Sequence, residues 1–320
     1  TQCDHQRLVP HSCGHRHCPH CQHHESQQWL ERQLAKQVPA QYFLITFTLP
    51  AELRALAWAH QRVLYDLLMR CAWETLRTFS HNDRQLRGVP GAIAVLHTNT
   101  REHAFHPHVH LVMPAAALDA QDKQWRTKRP GKSKAAYLFN HKALAKVFRA
   151  KMLAGIQAAS LALPERYPQQ WVVDCKSVGT GKPALIYLGR YLYRGVIREK
   201  DILACDNGQV RYRFRNAKTG KFEQRTVPGA HFLWLILQHV LPKGFRRARN
   251  FGFLHPNCKR LIALLQVVLK FDPGRITEWI KQRAPILCAC CGAVMTIVRT
   301  KIRPTHWTRI ATPIPTEQTR

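Results

Sequence analysis

Phe105-His106-Pro107-His108-Val109-His110-Leu111-Val112-Met113 is the stretch on which the reading of this 320-residue chain turns. Its apolar residues recur as they do in a buried β-strand, whose period of two puts His108 and His110 on one face. Two imidazoles one residue apart can hold a divalent cation against a sheet. A third ligand, with positions left open for a substrate, would complete a catalytic site. Upstream, Gly91-Ala92-Ile93-Ala94-Val95-Leu96-His97-Thr98 reads as another apolar strand. The short polar link over 99–105 lets the two pair as a hairpin, which brings His97 beside the other two histidines.

The second half of the site lies in Ala184-Leu185-Ile186-Tyr187-Leu188-Gly189-Arg190-Tyr191-Leu192-Tyr193-Arg194, which reads as a helix. Residues three and four apart share a helix face, so Tyr187, Arg190, Tyr191 and Arg194 form one stripe, with Tyr193 well round the other side. A phenol is protonated and a weak nucleophile at neutral pH. A cation polarising a phosphodiester lowers the barrier to its attack, and neighbouring arginines favour phenolate and phosphate alike. Two phenols on one face could act on two phosphates in turn, in an order that spacing does not fix.

Further segments accompany these in order: Ser12-Cys13 to Cys21, Leu241-Pro242-Lys243-Gly244-Phe245 and Phe251-Gly252-Phe253-Leu254. Together with Leu96-His97-Thr98, His106 to His110 and Tyr187-Leu188-Gly189-Arg190-Tyr191, the set resembles the HUH endonucleases, specifically the two-tyrosine transposases of rolling-circle insertion sequences. The resemblance implies an α+β fold with an HUH-type antiparallel sheet flanked by helices. It also implies an N-terminal zinc-binding module over 1–38, a catalytic domain over 39–228, and a mainly helical, basic C-terminal region over 229–320. The implied activity is cleavage and joining of single-stranded or hairpin DNA at element ends through a 5′-phosphotyrosine on Tyr187 or Tyr191. His97, His108 and His110 would hold Mg2+ or Mn2+. A plasmid replication initiator or relaxase shares that chemistry. A metal-dependent hydrolase and a non-enzymatic zinc-containing DNA-binding protein are the readings from other classes.

Composition agrees with a nucleic-acid partner. The 49 Lys and Arg against 19 Asp and Glu leave a net charge of +30, spread along the chain, which favours a polyanion. The longest apolar runs are too short to span a bilayer. No secretory signal stands at the start, and the opening Thr1 suggests that residues precede it. With 11 cysteines concentrated toward the ends, metal ligation in a reducing bacterial cytoplasm is expected rather than a disulfide framework. Cys13, Cys18 and Cys21 have the Cys-x4-Cys-x2-Cys spacing of a zinc site, with Cys3 preferred to His5 as fourth ligand. Cys288 and Cys291 form half of a second site, for which His255, Cys258 and His306 are candidate partners.

Along the rest of the chain, a helix over 25–37 leaves the zinc module, and 41–49 reads as the first strand of the main domain. Helical spacing then runs over 51–79, and this arrangement fits an α+β sheet covered on one face. A basic stretch spans 121–134, followed by a helix over 141–159, a short strand over 171–174 and a hinge over 179–183. Asp206-Asn207-Gly208 marks a hairpin turn between 202–205 and 210–214. Arg211, Arg213 and Arg215 alternate onto one of its faces. After a helix over 230–241, Lys243, Arg246, Arg247 and Arg249 interleave with Phe245, Phe251 and Phe253. That pattern suits single-stranded DNA, with charges on the backbone and rings on bases. Helices over 258–269 and 276–283 and a basic tail over 303–320 complete the chain.

Overall fold

A computed structural model describes residues 3–7, 23–119, 124–129, 137–193, 196–217, 219–274 and 286–296. They fall into two compact units, one spanning Ser12–Ile280 and a smaller one made from Thr1–His11 and Lys281–Arg320. The expected helix over 276–283, the basic tail over 303–320 and the basic residues 121–123 and 130–134 lie outside the described residues. Among the described residues no helix is long and apolar enough to cross a membrane.

The larger unit begins with α1 (His23–Leu34), β1 (Tyr42–Thr48), α2 (Arg54–Ala59) and α3 (Gln61–Asn82), and continues through β2 (Val89–Asn99), β3 (Phe105–Pro114), β4 (Ala116–Asp119) and β5 (Gln124–Thr127). Next come α4 (His141–Ala158), β6 (Val173–Ser177), α5 (Lys182–Leu192), β7 (Ile202–Asp206), β8 (Gln209–Arg215) and β9 (Phe222–Pro228), then α6 (Gly229–Leu237), β10 (Ala248–Gly252) and α7 (Lys259–Val268). The main sheet has the order β5-β4-β2-β3-β1-β6, with β10 pairing along β2. Its pairings are antiparallel throughout.

Helices cover both faces of this sheet, not one, because its central strands are apolar in both phases of their alternation. Phe43, Ile45 and Phe47 of β1 point one way, with Ala92, Ala94 and Leu96 of β2 and Val109, Leu111 and Met113 of β3, and meet Leu64, Leu68, Phe148 and Met152 of α3 and α4. Tyr42, Leu44, Ile93, Val95 and Val112 point the other way, against Trp29 and Leu34 of α1, Leu185 and Leu188 of α5 and Ile262 of α7. Each large aliphatic or aromatic side chain so buried contributes roughly 1.5–3 kcal/mol. His97, His108 and His110 follow the second phase, so the sheet presents them to the layer that contains α5.

Strand β10 differs from the sequence expectation, which reads this stretch as an open, basic segment. Gly252 pairs with Gly91, and its φ of +58° favours glycine. A Cβ there would lie 1.7 Å from the Pro90 carbonyl oxygen, so only glycine lets the strand end this close to β2. The expected hinge over 179–183 is instead a fastened turn: Tyr42 N–H donates to Gly179 O at 2.7 Å, and Gln37 Nε2 donates to Thr180 O at 2.8 Å. The strand expected over 171–174 begins two residues later as β6, and the long helical region is broken into α2 and α3 at His60, where ψ reaches 47°.

A second sheet, β7-β8-β9, carries α6 on a small core of Val210, Tyr212, Phe214, Val227 and Phe232. The Asn207-Gly208 hairpin is as expected. The third strand is polar on most positions and gives no apolar alternation in the sequence.

Candidate functional site

Cross-strand register assembles the histidines. His97 of β2 stands opposite His108 of β3, while His110 stands between Val95 of β2 and Thr46 of β1. One ring nitrogen from each of His97, His108 and His110 lies within 4.8 Å of the other two. His108 Nδ1 is 2.7 Å from the His106 carbonyl oxygen. A carbonyl only accepts, so Nδ1 carries the proton and the Nε2 lone pair is left free. His110 Nδ1 is 2.8 Å from Thr46 Oγ1, which can accept in the same sense. His97 is buried, and among the described residues its Nε2 has no hydrogen-bond partner.

Burial keeps these rings neutral. It pushes His108 down to about 4, although the bond to the His106 carbonyl opposes the shift. It pushes His110 down to about 3, helped by His108 and Lys176. His97 is driven well below the usual imidazole range by burial and by its two histidine neighbours. Neutral nitrogens, one an orphan and two backed by oxygens, form a donor set that fits a divalent cation.

Helix α5 lies across this cluster. Ala184, Leu185, Leu188, Gly189 and Leu192 are its buried side, and Gly189 lets it approach Trp29 of α1. Tyr187 and Tyr191 come to the histidines in different ways. The Tyr187 ring is 50% exposed, with its centroid 6.1 Å from His97 and 6.2 Å from His110. Among the described residues its hydroxyl has no hydrogen-bond partner. Partial burial, with Tyr191 nearby, raises its phenol above the ordinary range, while Arg101 pulls the other way. Tyr191 stacks on His97, donates its hydroxyl hydrogen to Asn99 Oδ1 and accepts from Thr98 N–H at 3.3 Å. The guanidinium of Arg247 lies 4.4 Å over its ring. Thr46 and Asn99 carry no motif, and nothing in the sequence singles them out.

A cavity of about 500 Å3 opens beside both tyrosines, within the range of roughly 300–1,000 Å3 usual for small-ligand sites. Arg101, Arg190, Arg198, Arg213, Arg215 and Arg247 line it, together with Phe214 and Phe222. Its acidic lining residue, Asp201, bonds Arg198 and Arg213. Of the arginines expected on DNA, Arg190 and Arg211 are exposed, Arg213 is half-buried against Phe222, and Arg194 lies outside the described residues. Lys243 and Arg246 are exposed. The interleaved rings, however, do not face solvent: Phe245 packs on Tyr65 and Phe251 stacks on Trp73. Arg249 is paired with Asp66. Bases therefore cannot stack on those rings, and Arg247 joins the tyrosine site through its Nε bond to Leu96 O at 3.0 Å.

The described cysteines include one new neighbourhood. Cys13, Cys18 and Cys21 lie outside the described residues. Cys3, which the sequence groups with them, lies against Cys288 and Cys291. Two of the candidate partners for that pair are engaged within the larger unit: His255 Nδ1 accepts from Asn257 N–H, and Cys258 lies 3.7 Å from Gly252 O. His306 is outside the described residues.

Residues 91–261 match the family described as "Putative transposase", and residues 1–49 match a "Transposase zinc-binding domain". The chain is 34% identical over 276 residues to "Putative transposase y4qJ" of Sinorhizobium fredii (strain NBRC 101917 / NGR234), covering 79% of this chain and 68% of that protein. It is 28% identical over 325 residues to "Transposase for insertion sequence element IS801" of Pseudomonas savastanoi pv. phaseolicola, covering 92% and 76%. Among solved structures, conjugative relaxase TrwC with a 27-mer DNA is similar at 15% identity and a TM-score of 0.30, over 72% of this chain and 74% of that one. Another TrwC complex with its oriT DNA is 20% identical at a TM-score of 0.29, over 41% of this chain and 48% of that one. Likeness of that size is no basis for a shared chemistry.

Proposed function

The chain belongs to this transposase family, and from that membership we propose that it nicks and rejoins single-stranded DNA at the ends of an insertion sequence through a 5′-phosphotyrosine on α5. The observation that carries the reading is the position of Tyr187, whose half-exposed ring sits beside three neutral imidazoles and lines a cavity shared with arginines. His97, His108 and His110 would hold the divalent cation, which when bound withdraws charge from the scissile phosphate. An all-nitrogen set favours Mn2+ over the harder Mg2+.

The residues divide the remaining work. Arg101, Arg190 and Arg247 bind the strand and orient its phosphates. Tyr187 attacks first, forming an oxygen–phosphorus bond as the bond to the 3′ oxygen breaks. The phenol proton is lost and the departing 3′ oxygen gains one, so the number of phosphate esters is conserved and no water is consumed. Tyr191 holds back at Asn99 and His97, and accepts the second strand once that hold is released. Cys13, Cys18 and Cys21 bind structural zinc, and the protein works on DNA in the bacterial cytoplasm. A hydrolytic reading would need a free carboxylate or imidazole base at the cavity; its carboxylate, Asp201, is held by two arginines, and its imidazoles, His103 and His239, are buried.

The test is a denaturing gel with single-stranded oligonucleotides carrying an element end. A band of protein joined to DNA is expected with Mn2+, absent with EDTA, and absent in Tyr187→Phe/Tyr191→Phe, which should still shift the oligonucleotide on a native gel. A covalent band in the double variant would overturn the reading.

A further inference from the structure

Among its described residues, the smaller unit shows no hydrophobic core. Of its described residues, Ile286, Leu287 and Val294 are exposed, and Cys288 is the buried apolar one. Residues 286–296 nevertheless form an ordered hairpin. Cys288 N–H donates to Ala293 O at 2.8 Å, Met295 N–H donates to Ile286 O at 2.8 Å, and Leu287 bridges to Val294. Across its tip Gly292, at a φ of +69°, donates to Cys288 O at 3.0 Å, while Cys290 N–H points at Cys288 Sγ from 3.4 Å. A loop that turns an amide toward one of two sulfurs, with glycine just after the second, presents Cys288 and Cys291 as a pair of thiolate ligands.

Cys3 completes a triangle with that pair. Its sulfur lies 3.6 Å from Cys288 Sγ and 3.4 Å from Cys291 Sγ. A disulfide would need about 2.05 Å. A tetrahedron of sulfurs at about 2.3 Å from zinc has edges of about 3.8 Å, close to the separations here. His5 belongs to a second group that shares Cys288: its ring nitrogen lies within 4.8 Å of the Cys288 and Cys290 sulfurs and 3.5 Å from the latter.

We propose that Cys3 from early in the sequence and Cys288 and Cys291 from late in it bind a single structural zinc ion that clamps the two segments together, the fourth position being filled from His5 or Cys290, which lie together beside Cys288. The family match to a zinc-binding domain covers residues 1–49, Cys3 among them; assigning Cys3 to the C-terminal pair supplies that pair with a partner. The clamp joins residues 285 positions apart. Closing so long a loop by local contacts alone is entropically unfavourable, and metal ligation supplies the energy that offsets it.

Thiol protection tests the proposal on the full zinc-loaded chain, independently of nicking. Under brief alkylation read by mass spectrometry, Cys3, Cys288 and Cys291 should be labelled at least tenfold more slowly than the exposed Cys205, and a zinc chelator should abolish the difference. Labelling of Cys288 and Cys291 as fast as Cys205 would overturn the site. In Cys288→Ser/Cys291→Ser, Cys3 should lose protection and the bound zinc should fall by one ion per chain. In Cys3→Ser, Cys288 and Cys291 should lose theirs. Cys3 still protected in the first variant, or the pair still protected in the second, would show two separate sites and refute the clamp.

Discussion

The ring of Tyr191 lies nearly flat on that of His97, with centroids 3.3 Å apart and planes 11° from parallel. One of the two phenols is thus packed against a proposed metal ligand and bonded to Asn99, while Tyr187 is free at its hydroxyl among the described residues. That asymmetry on a single helix face is the basis for assigning different turns to the two residues.

Removing the hold on Tyr191 should change which phenol reacts. In Asn99→Ala the hydroxyl loses its acceptor, and the Tyr187→Phe background should regain nicking from near zero to a readily measured rate. Loss of a nucleophile otherwise costs on the order of a thousand-fold or more. Quantifying adducts in the single and double variants checks this; an unchanged, inert double variant would contradict the hold.

Thr46→Val keeps the shape of the side chain and removes the oxygen beside His110 Nδ1. Groups that orient a ligating imidazole are worth roughly 10–100-fold in metal affinity. Calorimetric titration with Mn2+ should show a loss in that range with the circular dichroism spectrum unchanged. Equal affinity would mean that Thr46 does not set the tautomer.

The metal-free protein should be acid-labile. Burial depresses His108 to about 4 and His110 to about 3, and it holds His97 well below the imidazole range, whereas unfolded imidazoles titrate at about 6.5. The unfolded chain therefore binds more protons as pH falls below about 6.5, and folding stability drops by up to about 1.4 kcal/mol per pH unit for each such ring until the folded values are reached. Urea unfolding at a series of pH values should find stability falling from about pH 6.5 toward about pH 4, with Mn2+ raising the whole curve but leaving the fall at least as steep. A flat profile would contradict the buried neutral trio.

Two glycines with positive φ should respond unequally to alanine. Gly252→Ala combines a φ of +58° with a Cβ 1.7 Å from the Pro90 oxygen and should cost at least about 2 kcal/mol, since β10 must leave β2. Gly208 has a φ of +73° but open space around it, so its alanine variant should cost only about 1 kcal/mol. Urea unfolding midpoints compare the two, and equal losses would contradict the close approach.

Much of this site is legible in the sequence because strand and helix periods are strict. Alternation places His108 with His110, a short link pairs them with His97, and a three-to-four spacing puts Tyr187 and Tyr191 on one stripe. What escapes is whatever depends on long-range pairing of segments without a pattern. Ala248-Arg249-Asn250-Phe251-Gly252 has neither alternation nor an apolar run, so its place in the sheet, and the burial of the rings beside it, are not visible. Thr46 and Asn99 are ordinary polar residues until register sets them against His110 and Tyr191. Cys3 matches the nearest cysteines by spacing, while the thiols it meets are at the far end of the chain.

The central claim is that DNA becomes joined to α5 through a tyrosine. Its most direct test is to trap the product on a single-stranded element end with Mn2+, digest protein and DNA, and locate the nucleotide-bearing peptide by tandem mass spectrometry. The account predicts a phosphodiester on Tyr187 in the first turnover, with Tyr191 modified only when a second strand is supplied. A nucleotide on any residue outside α5, or cleaved DNA with no linked peptide, would contradict it.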